Sequence, residues 1–348
     1  MRNRKNSTQY QTLYAILAGE NEELAIAELK ALLETYEIAI NNLNCYTMIC
    51  VFEVNLTDKH LLEVIAERAS SIEEIGALIA FESIYKPRYD YISGIDSREY
   101  TWIKPSVYKF EETSIVREYF LGLSKLLKLP LTYRRGLYLH VMISDGIAFI
   151  GKPLIAKTSK GFNSRKPSKR PFFRSIALPP SISRLLVNLA RVKEGGVLLD
   201  PFLGTGSIAI EAGLMGIRVI GAEIDKELVR GAYINIEYFK LGSTSIVING
   251  DSTILTYNGI DGVATDPPYG RAASTHGYEI KELYSQFIER MSESLRRGKY
   301  LVFMAPLWLE EYIDEKLCKL GFMIKGKYYY YVHGGLTRVI YEAFKYEY

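Results

Sequence analysis

Two short stretches constrain this chain more than any others: Asp200-Pro-Phe-Leu-Gly-Thr-Gly206 and Asp266-Pro-Pro-Tyr-Gly270. Each closes a short apolar run, 197–199 before the first and 262–265 before the second. Such a run, stopped by a turn, reads as a buried parallel strand, and open α/β sheets place their sites at the carboxyl ends of those strands. The first stretch offers a glycine turn that lets a ligand approach the backbone. The second offers a carboxylate, two rigid prolines and an aromatic face. A nucleotide-like cofactor beside a planar substrate with a nitrogen nucleophile would use both.

The surrounding pattern fits such a sheet. From position 181 strands alternate with helices: strands at 197–199, 218–222, 245–248, 262–265 and 300–304, helices at 207–215, 226–239, 279–295 and 307–320. A further helix through Leu185, Leu186 and Leu189 is expected to be capped by Ser181 or Ser183. Two β-rich runs, 322–332 and 338–344, surround His333-Gly-Gly335 and predict a terminal hairpin. Alternation of this kind implies α/β architecture, a parallel doubly wound sheet with an antiparallel hairpin closing one edge.

The first half is less regular. It predicts a strand at 12–17, a helix at 22–35, a strand at 46–54 and a helix at 58–68 with Asp58 as N-cap. Segment 72–81 suits helix or strand, 85–98 a loop, and 99–110 a strand interrupted at Pro105. A helix at 113–128 begins at Thr113 as its cap and stops before Pro130. Asp145-Gly146 between apolar runs is a strong hairpin signal. This half shows no glycine loop, nucleophile triad or carboxylate pair, and by its chemistry it reads as a binding module. The expected division is 1–156, a linker at 157–174, and 175–348.

Net charge is only +3, yet no acidic residue stands between Asp145 and Glu194. The linker in that interval carries Lys157, Lys160, Arg165, Lys166, Lys169, Arg170 and Arg174. Such a stretch suits a polyanion such as RNA, and a solvated basic linker accounts for the charge equally well. Arg271 is expected to contact phosphate or to cap its loop. Phe172 and Phe173 are expected to wedge the linker against the sheet or to roof the cofactor pocket.

The three cysteines, Cys45, Cys50 and Cys318, form no disulfide framework and no metal spacing, which points to a reducing compartment. His60, His140, His276 and His333 are scattered without ligand spacing, so no metal is expected. No apolar run approaches the roughly 18 residues of a membrane span. A cytoplasmic protein is the expectation.

Gly204, Thr205 and Gly206 form the strand-to-helix turn. Glu223 and Asp225 follow the next strand, and Asp251 and Ser252 the third. Acidic strand ends can accept ribose hydroxyls and an adenine amino group, but they would repel a pyrophosphate. That favours S-adenosylmethionine over NAD, FAD or ATP. An exocyclic amino group on a base is a poor nucleophile, because its lone pair is delocalised into the ring. Asp266 and the carbonyl held by Pro267 and Pro268 would accept both N–H bonds, and Tyr269 would stack on an extruded base.

Taken together, Arg-Pro-Phe-Phe, Leu-Leu-Asp-Pro-Phe-Leu-Gly-Thr-Gly, Asp-Pro-Pro-Tyr-Gly-Arg and Leu336-Thr-Arg338 resemble the THUMP-domain guanine-N2 methyltransferases. The archaeal enzymes that modify guanine-10 of tRNA are the nearest type. The resemblance is closest from Arg170 to about Phe344 and fainter over 12–155, where it rests mainly on the 137–155 hairpin. It implies a Rossmann-like class I methyltransferase sheet behind an N-terminal α+β ferredoxin-like and THUMP region that grips tRNA. It implies that Asp200, Gly204, Gly206, Glu223 and Asp251 hold S-adenosylmethionine and that Asp266 with Pro267 positions the guanine amino group. Leu203 stands where a Cys is common, Ala272 where Ser is frequent, and Arg134-Arg-Gly136 where an Asn-Pro-Asp-like element is usual. A monomer is expected, with a small activating protein partner left open. Rival readings are another tRNA or ribosomal RNA guanine, an adenine N6 target, and a non-catalytic RNA-binding scaffold.

Overall fold

The computed structural model describes residues 10–19, 21–55, 60–89, 92, 94–109, 111–156, 161–175, 177–270, 279–333 and 336–346. The chain forms two compact units. The first runs up to Thr158, except that Ala27–Tyr36 and Arg68–Ser70 go with the second, which continues from Ser159.

In chain order the first half contains β1 (Gln11–Leu17), α1 (Glu22–Thr35), β2 (Ile40–Tyr46), β3 (Ile49–Val54), α2 (His60–Arg68), β4 (Ile72–Ser83), β5 (Trp102–Val107), α3 (Thr113–Leu127), β6 (Tyr138–Ser144) and β7 (Ile147–Ala156). The strands make one sheet of order β2-β3-β1-β4-β7-β6-β5. The ambiguous segment at 72 is a strand whose far end alternates half-buried and exposed residues, the period-two pattern of a sheet surface. Pro105 does not interrupt β5, because β5 is an edge strand and its missing N–H breaks no ladder. Asp145 and Gly146 both have positive φ, 53° and 74°, as a two-residue hairpin turn requires.

Three expectations are corrected here. The strand at 46–54 is instead the hairpin β2–β3, turning at Thr47-Met48, with Cys45 directly opposite Cys50. That register brings their Cα atoms to 4.1 Å and the two are joined as a disulfide, which removes the cysteine argument for a reducing compartment. Thr113 is the first helical residue rather than the cap; Glu112 occupies the cap position without a side-chain hydrogen bond. Asp58 lies outside the described residues. Buried His140 faces Glu74 through Nδ1 (2.5 Å) and Ser106 through Nε2 (2.9 Å), so its ring serves a satisfied polar cluster within the sheet.

The second half contains α4 (Pro180–Leu189), β8 (Val197–Asp200), α5 (Ser207–Leu214), β9 (Arg218–Glu223), α6 (Lys226–Tyr238), β10 (Ser245–Asn249), β11 (Gly262–Thr265), α7 (Ile280–Ser294), β12 (Tyr300–Pro306), α8 (Glu310–Lys319), β13 (Phe322–His333) and β14 (Leu336–Lys345). The sheet order is β10-β9-β8-β11-β12-β14-β13, parallel through β12 and antiparallel beyond. Neither Ser181 nor Ser183 caps α4: the helix starts at Pro180, where a missing N–H costs nothing, and Ser183 is buried inside it. Under α7 and α8 the sheet buries Leu283, Phe287, Phe303 and Tyr341, with the last two rings stacked 5.0 Å apart. The strand order reverses between β8 and β11, so the crevice at their carboxyl ends is the expected place for a site. Among the described residues no helix is long and apolar enough to cross a membrane.

Candidate active site

The glycine turn follows β8 directly. Gly204 and Gly206 both have positive φ, 52° and 82°. A Cβ on Gly204 would meet nothing within 4 Å, so the turn faces open space where a ligand can lie against the backbone. The Gly204 N–H donates to Glu223 Oε2 (2.9 Å), and the other oxygen of Glu223 accepts from the Asp225 N–H (3.0 Å). The end of β9 thereby fixes the shape of the turn after β8.

The linker also holds this turn. Buried Asn235 on α6 donates through Nδ2 to the carbonyls of Thr205 and Phe172, both at 3.0 Å, and accepts from the Phe172 N–H. The Phe172 ring lies where a Cβ on Gly231 would be, 2.2 Å from that position. Arg170 donates to Ser207 Oγ (2.6 Å), and Arg165 and Arg184 share the buried carboxylate of Glu211. Arg165 and Arg170 therefore turn inward, correcting their expected place on an RNA-facing surface. A buried carboxylate from α5, distant in sequence, claims the cation that the linker's composition seemed to leave free. Arg174 pairs with Glu227, while Lys166 and Lys169 stay exposed. Lys157, Lys160 and Arg271 lie outside the described residues.

Beyond the turn, Asp200 Oδ1 accepts from Thr265 Oγ1 (2.7 Å). Burial pushes the Asp200 carboxyl up to about 7, and the charges of Glu223 and Asp266 push the same way. Burial likewise pushes Asp266 up to about 6, opposed by the Arg338 guanidinium. Arg338 Nη1 lies 3.2 Å from Asp266 Oδ2, and its guanidinium sits 4.5 Å from the centre of the Tyr269 ring. The Tyr269 hydroxyl donates to the other oxygen, Asp266 Oδ1. Pro267 is buried and Pro268 half-buried in the same turn.

Two expected cofactor residues have other employment. Asp225 is the N-cap of α6, its Oδ1 accepting from the N–H groups of Glu227 and Leu228. The Ser252 hydroxyl turns into the core against Tyr257 Oη (2.8 Å). Asp251 is half-buried after β10, with Oδ1 bonded to the Thr253 N–H and hydroxyl. Three residues of the site escape the sequence reading: Thr265, Asn235 and Arg338. Arg338 was visible in the Leu-Thr-Arg motif, but nothing in the sequence tied it to Asp266.

An open glycine cradle beside buried Asp200 and half-buried Glu223 and Asp266, whose charges repel that of Asp200, suits a cofactor with hydroxyl and amine donors and a positive centre. Gly204, Glu223 and Asp200 fit S-adenosylmethionine on those grounds. The sheet order and this crevice define a class I, S-adenosylmethionine-dependent methyltransferase. A family model described as UPF0020, RMKL-like, methyltransferase domain matches residues 167–339. The tRNA (guanine(10)-N2)-dimethyltransferase of Pyrococcus abyssi is 31% identical over 94% of this chain and 98% of its own length. The enzyme of the same name from Methanothermobacter thermautotrophicus is 38% identical over 58% of each chain. The crystal structure of TrmN from Thermus thermophilus shares the fold, with a TM-score of 0.52 at 16% identity over 96% of this chain and 99% of that one. The chain belongs to the tRNA (guanine(10)-N2)-dimethyltransferase family.

Proposed function

We propose that this protein methylates the exocyclic N2 amino group of guanine-10 in tRNA, once or twice, in the cytoplasm. The observation that carries the chemistry is the half-buried Asp266 carboxylate, held between Arg338 and Tyr269 just after β11. Bound S-adenosylmethionine supplies an electrophilic methyl group. Asp266 and the carbonyl of Pro267 accept the two N–H bonds of the amino group and turn its lone pair out of the ring plane. Ionised at neutral pH, Asp266 also accepts the proton released when nitrogen gains its methyl group. Tyr269 offers its ring to the extruded base. Family membership supplies tRNA as the substrate and position 10 as the target.

The first unit serves as the RNA-gripping module, with a ferredoxin-like part and a THUMP part. The division at 1–156, 157–174 and 175–348 follows from that role. Lys166, Lys169 and Arg174 are the described linker cations that remain for phosphate contact, and the enzyme works as a monomer. The test is methyl transfer from labelled S-adenosylmethionine to unmodified tRNA transcripts carrying guanine or adenine at position 10. Label on the first alone supports the reading. Equal label on both moves the target to another nucleotide, and no label on either, with cofactor bound, leaves a scaffold.

A further inference from the structure

Arg338 stands on β14, one strand in from the edge of the sheet, opposite Pro306 of β12 on one side and Tyr330 of β13 on the other. Its backbone is thus fixed by two ladders, and its side chain is only 12% exposed. From there it reaches one oxygen of Asp266 and lies over the Tyr269 ring. Its Nε is buried with no hydrogen-bond partner among the described residues.

We infer that Arg338 is the positioning residue of the site: it grips Asp266 through Oδ2, braces the Tyr269 ring, and reserves Oδ1 for the substrate amino group. The inference rests on the reading of Asp266 as the amine acceptor. In the substrate-free protein the Tyr269 hydroxyl occupies Oδ1 and stands in for the amine N–H. When the base enters, that hydroxyl gives way and the ring becomes the stacking face, while the Arg338 grip persists.

The same grip sets when Asp266 is ionised. The groups acting on its charge are Arg338 from β14, Tyr269 in its own turn, buried Tyr284 from α7 and Asp200 from β8. Arg338 is the cation of this set. Without it, burial and the Asp200 charge act unopposed, and Asp266 holds its proton to higher pH.

The variants R338M, R338Q and R338K are compared with wild type, using S-adenosylhomocysteine binding to show that each is folded. For transfer to tRNA, the acid limb of the kcat/KM profile should move up by about one pH unit in R338M and R338Q. Activity near pH 6 should fall about tenfold further than activity near pH 9. R338K should keep the wild-type limb. A loss equal at all pH values, with the limb unmoved, overturns the inference. The second readout needs no turnover: the Asp266 carboxyl is titrated by 13C NMR in aspartate-labelled protein and assigned with D266N. A carboxyl that titrates at the same pH in R338M and wild type also overturns it. Wild type that binds cofactor but methylates no tRNA would sink the proposed function, and the titration would still decide the role of Arg338.

Discussion

Thr265 Oγ1 donates a 2.7 Å hydrogen bond to Asp200 Oδ1, tying the last residue of β11 to the last residue of β8. The Phe202 N–H in turn donates to the Thr265 hydroxyl (3.3 Å). The strand ends that carry the glycine turn and the Asp-Pro-Pro-Tyr turn are thereby locked together across the switch point. The link costs something, because Asp200 is buried beside two further carboxylates.

That cost predicts how stability changes with pH. A carboxyl raised to about 7 favours the folded state below its unfolded value, and the benefit is lost as pH rises through about 7. Near pH 8 the charged form is disfavoured by up to about 4 kcal/mol. Ligand-free D200N should therefore melt close to wild type near pH 4 and several degrees higher near pH 8, while binding S-adenosylmethionine more weakly. The cofactor's cationic centre offsets the repulsion, so the stabilisation it gives wild type should grow from about pH 4 to pH 8. Melting curves with and without cofactor at the two pH values check both statements. A D200N protein less stable than wild type near pH 8 would refute the argument.

Asn235 is the second lock. Replacing it with alanine strands three backbone groups, the Phe172 N–H and the carbonyls of Phe172 and Thr205. N235A should lose roughly 2–4 kcal/mol of stability, and because Thr205 lies in the glycine turn, cofactor affinity should fall with it. Denaturant unfolding and calorimetric titration with S-adenosylhomocysteine measure the two effects. Unchanged affinity in a destabilised N235A would show that the linker and the turn are independent.

Gly231 tests the same contact from the other side. A methyl group there collides with the Phe172 ring at 2.2–2.3 Å. G231A should cost about 1–3 kcal/mol through overpacking. F172A should relieve much of it, so the double variant should be more stable than the sum of the single effects implies. Strict additivity in urea unfolding would place the Phe172 ring elsewhere in solution.

What the sequence made legible was local chemistry. Asp145-Gly146 announced its hairpin because both residues tolerate positive φ, and Gly204 and Gly206 announced their turn for the same reason. The β2–β3 hairpin was missed because its turn is Thr47-Met48, where a methionine adopts φ 64° and no glycine or asparagine marks the place. With the turn hidden, the Cys45–Cys50 pairing was hidden too. The basic linker misled for a different reason. Two of its arginines meet carboxylates that lie far along the chain: Glu211 for Arg165 and Glu227 for Arg174. Charge counted along a segment says nothing about acids that folding brings in from outside it. Arg338 and Asp266 make the same point at the site itself, 72 positions apart and joined only by the insertion of β14 beside β12.

Lys166 and Lys169 carry the last prediction. Lys166 precedes Pro167 and Lys169 ends the short helical turn that Pro167 begins, both exposed, while neighbouring Arg165 turns to the buried carboxylate of Glu211. Each lysine that neutralises a phosphate releases condensed counterions, so its removal lowers the salt dependence of binding as well as the affinity. K166E/K169E should weaken tRNA binding roughly tenfold or more at low salt and reduce the log–log salt slope by about one to two. R165A should instead act on stability, because it removes a partner of buried Glu211. Filter binding of tRNA over a salt series, alongside melting of both variants, separates the two roles. A salt slope identical to wild type in K166E/K169E would make these lysines solvated surface, and tRNA contact would then have to come from other cations of the chain.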